Sequence, residues 1–293
     1  MQQLFIDTNM DKNIFHVFMM ELLEIGRLMN KNISIENLLL TNYDESLSVD
    51  LWRTYILQYL VKNIYVTQQS KNNNSIVQIL PREFITYRPE MLKIHFQWFN
   101  CWSNSNYTEK KDIILFIDKL KILMNIECTL NHVKFINRKN NRQVFDLNTY
   151  EPIENELKKY GIQCAYFEDM HPRDQIDFVK DAQILIAPHG AALTNMIFTH
   201  KECIICEINL RKFWFCNPIC ENHKSEKFAI DEDCGQGPPF SKYDYNNMCK
   251  LLGKEYYELQ TDKYTDQTHL NTMNRNFMLD SKQLVKYIET LKN

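Results

Sequence analysis

The chain has no excess of basic charge. Across 293 residues, 34 lysines and arginines face 37 aspartates and glutamates, a formal net charge of −3. No overall positive field exists to hold a polyanion, so nucleic acid is excluded as the expected partner. The chain also lacks any run approaching the roughly 18 consecutive apolar residues that a membrane span requires. Its first residues, MQQLFIDTNMDKN, lack the basic segment and apolar core of a secretory signal. Absent too are low-complexity tracts and internal repeats of about 20 to 50 residues. The cysteine count, nine, is odd, so at least one thiol is unpaired. The cysteines are scattered from Cys101 to Cys249, which fits reduced thiols in a cytoplasmic setting better than a disulfide framework. In that setting the sequons at Asn32, Asn73 and Asn106 carry no glycan.

What is present is an ordinary globular composition, 44% hydrophobic and 24% charged, in a chain long enough for two domains of about 100 to 200 residues each. LFID reads as a first strand. Residues 14 to 29, IFHVFMMELLEIGRLM, are apolar on most sides, with His16, Glu24 and Arg27 in one arc at helical spacing, a largely buried helix with one polar stripe. ENLLL, NIYVT, SIVQIL and EFITY read as strands, residues 48 to 61 as an amphipathic stretch, and Asn72 to Asn74 as a loop. The polar segment SNSNYTEKKD, 103 to 112, marks a boundary between domains at 1–110 and 111–293. From about residue 130 strands and helices alternate: VKFIN, IENELKKYG, QCAYF, PRDQIDFVKDA, QILIA, AALTNMIF, CIICEI. That alternation predicts βαβ units and a parallel, Rossmann-like sheet.

In QILIAPHGAALTN, 183 to 195, an apolar strand runs directly into Pro188, His189, Gly190 and two alanines before a predicted helix. Small residues there let a ligand approach the backbone. The carboxyl edge of a parallel sheet is where ligands bind, and a helix start offers unpaired N–H groups to phosphate oxygens. The same residues would also serve a tight packing turn that binds nothing.

These residues carry a family resemblance. HGAALTN resembles the HGAGLTN signature of glycosyltransferase family 61, and Gln175, Ala182, His189, Gly190, Leu193, Thr194, Asn195 and Glu207 fall in register with it. FINRKNNRQVF resembles the family's strand followed by two arginines, here Arg138 and Arg142, and NIFHVFMMELL weakly resembles its early helix carrying a histidine. Two departures stand out: Ala192 occupies the family's usual second glycine, and the asparagine expected shortly after Arg142 is displaced, with Asp146 and Asn148 nearby. The resemblance implies an α/β protein of the GT-B type, two Rossmann-like domains facing a cleft. It implies an inverting transfer of sugar from a nucleotide diphosphate donor, UDP-linked by preference, to a hydroxyl on a glycan or protein, without a metal. The donor residues implied are Arg138, Arg142, His189, Gly190, Ala191, Leu193, Thr194, Asn195 and Glu207.

Chemistry suggests roles for them. Guanidinium forks suit a diphosphate, though paired arginines also occur in solvated loops. Glu207 closes an apolar strand and either accepts from ribose hydroxyls or pairs with a neighbour such as Arg211. Inversion needs a base for the acceptor proton; His16 is the candidate, with Asp7 and Glu21 as rivals. Asp231, Glu232 and Asp233 spell an acidic triplet of the metal-binding kind, but in a Gly-Pro-rich loop. Cys203 and Cys206 have zinc-knuckle spacing on a predicted strand, where residues three apart face opposite ways; buried thiols are expected. Trp98 and Trp102 could stack on a sugar or fill a core. A binding module that lost its base, or a nucleotide-sugar epimerase, remains the alternative.

Overall fold

The structure, a computed structural model, describes residues 2–7, 14, 17–32, 35–44, 46–69, 74–80, 92–93, 110–139, 142–210, 244–261 and 276–292. By packing the chain divides into two units, one of residues 1–127 with 171–176, the other of 128–170 with 177–293.

The first unit contains a five-stranded sheet. Its strands are β1 (Gln2–Asp7), β2 (Ile35–Tyr43), β3 (Asn63–Gln69), β4 (Asn74–Leu80) and β5 (Leu92–Lys93), in the order β4-β3-β2-β1-β5. All neighbours are parallel except β3 and β4, which pair antiparallel; Asn74, read from the sequence as loop, opens β4. Leu38, Leu39 and Leu40 are all buried, the continuous apolar run that a parallel strand needs when both faces are covered. A π-helical turn, Val17–Leu22, runs into α1 (Leu23–Asn30); α2 (Ser48–Leu57) and α3 (Lys110–Leu123) follow. Helix α3, expected to open the second domain, belongs to the first. Its Phe116 ring lies on α1 where a side chain at Gly26 would stand, 2.4 Å from an ideal Cβ. Polar composition ahead of a helix signals exposure and not which core the helix joins, so it did not place the division, which falls after residue 127.

The second unit is built on β6 (His132–Asn137), β8 (Gln163–Tyr166), β9 (Ala182–Pro188), β10 (Ile204–Leu210) and β11 (Tyr256–Thr261). They form an all-parallel sheet in the order β11-β10-β9-β6-β8. From the chain's first strand of this sheet, β6, the next lies to one side and all later ones to the other. This is the doubly wound order, and it opens a crevice where the connections part, at the carboxyl ends of β6 and β9. Phe135, Ile184, Ile186 and Ile208 are fully buried at its centre, each contributing about 1.5–3 kcal/mol by leaving water. A small parallel pair, β7 (Val144–Asp146) with β12 (Phe277–Leu279), was not foreseen. The unit's helices are α4 (Glu154–Leu157), α5 (Pro172–Val179), which starts on residues grouped with the first unit, α6 (Asp244–Leu252) and α7 (Ser281–Leu291).

A further expectation is corrected. The helix anticipated from AALTNMIF is a 3-10 helix, Ala191–Phe198. Leu193 to Phe198 are all buried, so the segment has no polar face to give to solvent, and the narrower winding suits a helix enclosed on every side.

Candidate functional site

The crevice between β6 and β9 is shaped first by Asn137. Its side chain donates to the carbonyl of Val144 (3.1 Å) and to Glu154 Oε2 (2.7 Å), and its Oδ1 accepts from the amides of Arg138 (2.9 Å) and Val144 (2.8 Å). The ends of the loop after β6 are thereby tied together, so Arg138 and Arg142 both return toward β9. Arg142, with φ of 57°, is in the left-handed region that a non-glycine residue adopts only when its surroundings hold it there. Its Nη1 donates to the carbonyl of His189 at 2.9 Å.

Gly190 then explains itself. Its φ of 160° is extended backbone open to any residue, so conformation does not require glycine. Space does: an added Cβ would lie 2.7 Å from Arg138 Nη1 and 3.8 Å from Arg142 Nη1. Two guanidiniums therefore converge on one glycine at the head of the turn. Arg138 has a loose partner in Glu168 at 3.5 Å, both partly exposed. Burial, and then the charge of Arg138, push the Arg142 guanidinium down to about 10, against the opposing pull of Tyr245 and Glu207. Two cations held this close constitute a place where an anion is favoured.

The turn is locked from below. The His189 amide donates to the Ile208 carbonyl (2.9 Å), and the Tyr245 hydroxyl donates to the Gly190 carbonyl (2.7 Å). The His189 and Tyr245 rings meet edge to face with centroids 5.3 Å apart. Histidine Nδ1 pairs with Glu207 Oε1, and the Tyr256 hydroxyl donates to Glu207 Oε2 at 2.5 Å. Burial, followed by the Glu207 charge, pushes the Tyr256 hydroxyl well above its usual range, so it stays a donor. Ala191 and Ala192 are half-buried, whereas Leu193, Thr194 and Asn195 are fully buried beneath them. Asn195 Nδ2 returns to the Ala192 carbonyl at 3.2 Å. The Thr194 hydroxyl has no hydrogen-bond partner among the described residues.

The structure thus brings Arg138, Arg142, His189, Gly190 and Ala191 together at one sheet edge, with Leu193, Thr194 and Asn195 as their support. Glu207, read from the sequence as a ribose acceptor or the partner of a neighbour, is 2% exposed, and its two oxygens meet His189 and Tyr256. Tyr245 and Tyr256 went unnoticed in the sequence, where nothing in spacing links them to a turn about 60 residues earlier.

The candidate bases fare differently. Asp7 ends β1, in register with Thr41, but its side chain and all of His16 lie outside the described residues. Glu21 is 1% exposed, and Arg53 grips it through Nε (2.8 Å) and Nη2 (3.1 Å) while also pairing with Asp50. A carboxylate in such a fork is committed to structure; removing one member of a buried pair costs about 3–5 kcal/mol. Cys203 and Cys206 are buried free thiols, pushed up to about 11 and about 12 chiefly by burial. Among the described residues no three His, Cys, Asp or Glu side chains gather as metal ligands. The 231–233 triplet, Arg211, Trp98, Trp102 and the EFITY segment lie outside the described residues.

The family model for glycosyltransferase 61 matches residues 11–206, more than half of the chain. The chain belongs to the glycosyltransferase 61 family. The glycosyltransferase 61 span takes in both arginines and the whole turn and stops just before Glu207, while Tyr245 and Tyr256 lie beyond it. A stretch of 117 residues is also 26% identical to the non-toxic nonhemagglutinin type E of Clostridium botulinum, covering 39% of this chain and 10% of that protein. No helix among the described residues is long and apolar enough to cross a membrane.

Proposed function

We propose that the chain is an inverting transferase that moves a sugar from a nucleoside diphosphate sugar, UDP-linked by preference, to a hydroxyl on a glycan or protein. The observation that carries this reading is the convergence of Arg138 and Arg142 on Gly190 at the crevice between β6 and β9. Charge grows on the leaving diphosphate as the bond to the sugar breaks, and preorganised guanidiniums stabilise it without reorganising. In this reading they do what a divalent ion does in other transferases, and no metal is needed. In this reading the fold is of the GT-B type, and the first unit carries the base for the acceptor. There His16 takes the proton from the acceptor hydroxyl as the new bond forms on the face opposite the diphosphate. Asp7, at the carboxyl end of β1, is the alternative base.

The test is a thermal-shift screen against a panel of nucleotide sugars, followed by assay of nucleoside diphosphate release. A ligand at 100 times its dissociation constant stabilises by about 2.7 kcal/mol. Binding with slow release supports a transferase. Binding without release turns the reading toward a non-catalytic module, interconversion of sugars without acceptor toward an epimerase, and absence of any shift sinks it.

A further inference from the structure

Glu207 is the least expected feature of the site. A carboxylate at the ligand-binding edge of a parallel sheet ordinarily reaches into the crevice, yet this one is 2% exposed and spends both oxygens inside the protein. One oxygen meets His189 Nδ1 and the other the Tyr256 hydroxyl. The three residues come from three adjacent strands or their ends. His189 follows β9, Glu207 lies in β10 opposite Ala187, and Tyr256 opens β11 opposite Ile205. Sheet register therefore places them in line, from the far strand to the turn.

We propose that Glu207 and Tyr256 are positioning residues for His189, and through it for the pair of arginines. The chain Tyr256 hydroxyl to Glu207 carboxylate to His189 Nδ1–H holds the imidazole in one orientation. A histidine whose Nδ1–H donates to a carboxylate has its tautomer and ring plane set by that bond. His189 needs such an anchor because its backbone is engaged on both sides: its amide donates to Ile208, and its carbonyl accepts from Arg142. Rotation of the ring would break the edge contact with Tyr245, whose hydroxyl holds the Gly190 carbonyl beside the carbonyl that seats Arg142. Tyr256 in turn fixes the carboxylate plane, so that Glu207 presents one oxygen to the imidazole and not the other. The donor turn is thus aligned from beneath by a carboxylate that touches no substrate. This assignment rests on the donor-site reading above, and it gives Glu207 a role other than holding the ribose.

The experiment uses the full chain and inorganic pyrophosphate as probe, with UDP as a second ligand. Glu207→Gln and Tyr256→Phe keep the shape of their side chains. Two quantities are read in each: affinity by calorimetry, and the imidazole signals of His189 by ¹H–¹⁵N NMR, assigned with His189→Asn. Wild-type protein is expected to show a slowly exchanging Nδ1–H signal far downfield. It is lost in Glu207→Gln and displaced in Tyr256→Phe. Pyrophosphate affinity falls about tenfold in Glu207→Gln and less in Tyr256→Phe, the order of effect that outer partners of a ligating histidine have in metal sites. Unfolding of Glu207→Gln would leave Tyr256→Phe to decide, since it removes one oxygen from a ring that otherwise stays packed. Wild-type affinity together with an unmoved Nδ1–H signal in Tyr256→Phe overturns the proposal while leaving the donor site standing. Wild-type protein that binds neither pyrophosphate nor UDP sinks the donor site instead, and the imidazole signals still decide whether the two residues hold His189.

Discussion

Arg142 and Gly190 serve the site in opposite ways, one by its charge and the other by having no side chain. Arg142 is half-buried beside Arg138 and its guanidinium is held down to about 10. It remains charged at neutral pH, at a cost to the unliganded fold that a bound anion removes. Replacing Arg142 by Ala is expected to weaken nucleoside diphosphate binding by about 1.5–3 kcal/mol, the range for a hydrogen bond to a charged group, in isothermal calorimetry. Gly190→Ala sets geometry against conformation. The extended backbone accepts alanine without strain, but the new Cβ falls 2.7 Å from the end of the Arg138 side chain. A flexible side chain can swing away, so thermal stability should stay near wild type while diphosphate affinity drops. A large loss of stability with unchanged affinity would show that Gly190 matters for folding alone.

At the scale of elements, the same substitution has another outcome. Gly26 lies within α1, where alanine would gain about 1 kcal/mol in helix propensity. Its Cβ, however, would stand 2.4 to 2.8 Å from three atoms of the Phe116 ring. That ring is 1% exposed and has nowhere to swing, and overpacking of this kind costs about 1–3 kcal/mol. Gly26→Ala should therefore destabilise the first unit, read as a lower urea midpoint; a raised midpoint would mean that α1 and α3 are not packed through this contact. Helix α7 shows the ordinary use of a cap: Asp280 accepts from the amides of Lys282 (2.9 Å) and Gln283 (3.1 Å).

For the molecule as a whole, the proposed division of labour makes a claim about separability. If the first unit supplies the base and the second the donor site, then His16→Ala should lower turnover by about 10²- to 10⁴-fold, the usual contribution of a positioned base. Donor affinity, measured separately, should stay near wild type. Parallel loss of both would make His16 structural and pass the role to Asp7. A chelator should leave turnover largely intact, because the arginines and not a metal neutralise the diphosphate in this mechanism. Complete loss that added metal restores would bring Asp231 and Asp233 into it.

Local patterning alone located most of the elements. The strand-helix alternation after residue 130, the turn at 188–195 and the two arginines were all legible, because apolar period, small residues and charge are written along the chain and need no distant partner. The 3-10 winding of 191–198 was not legible, since it follows from burial on every side, and neither was the attachment of α3 to the first unit, which Phe116 decides by lying on Gly26. Glu207 shows the limit most clearly. As a residue in a strand it could equally well face a ligand or a neighbour. Only the register of β9, β10 and β11 puts His189 on one side of it and Tyr256 on the other, because residues far apart in sequence become partners only when the sheet aligns them.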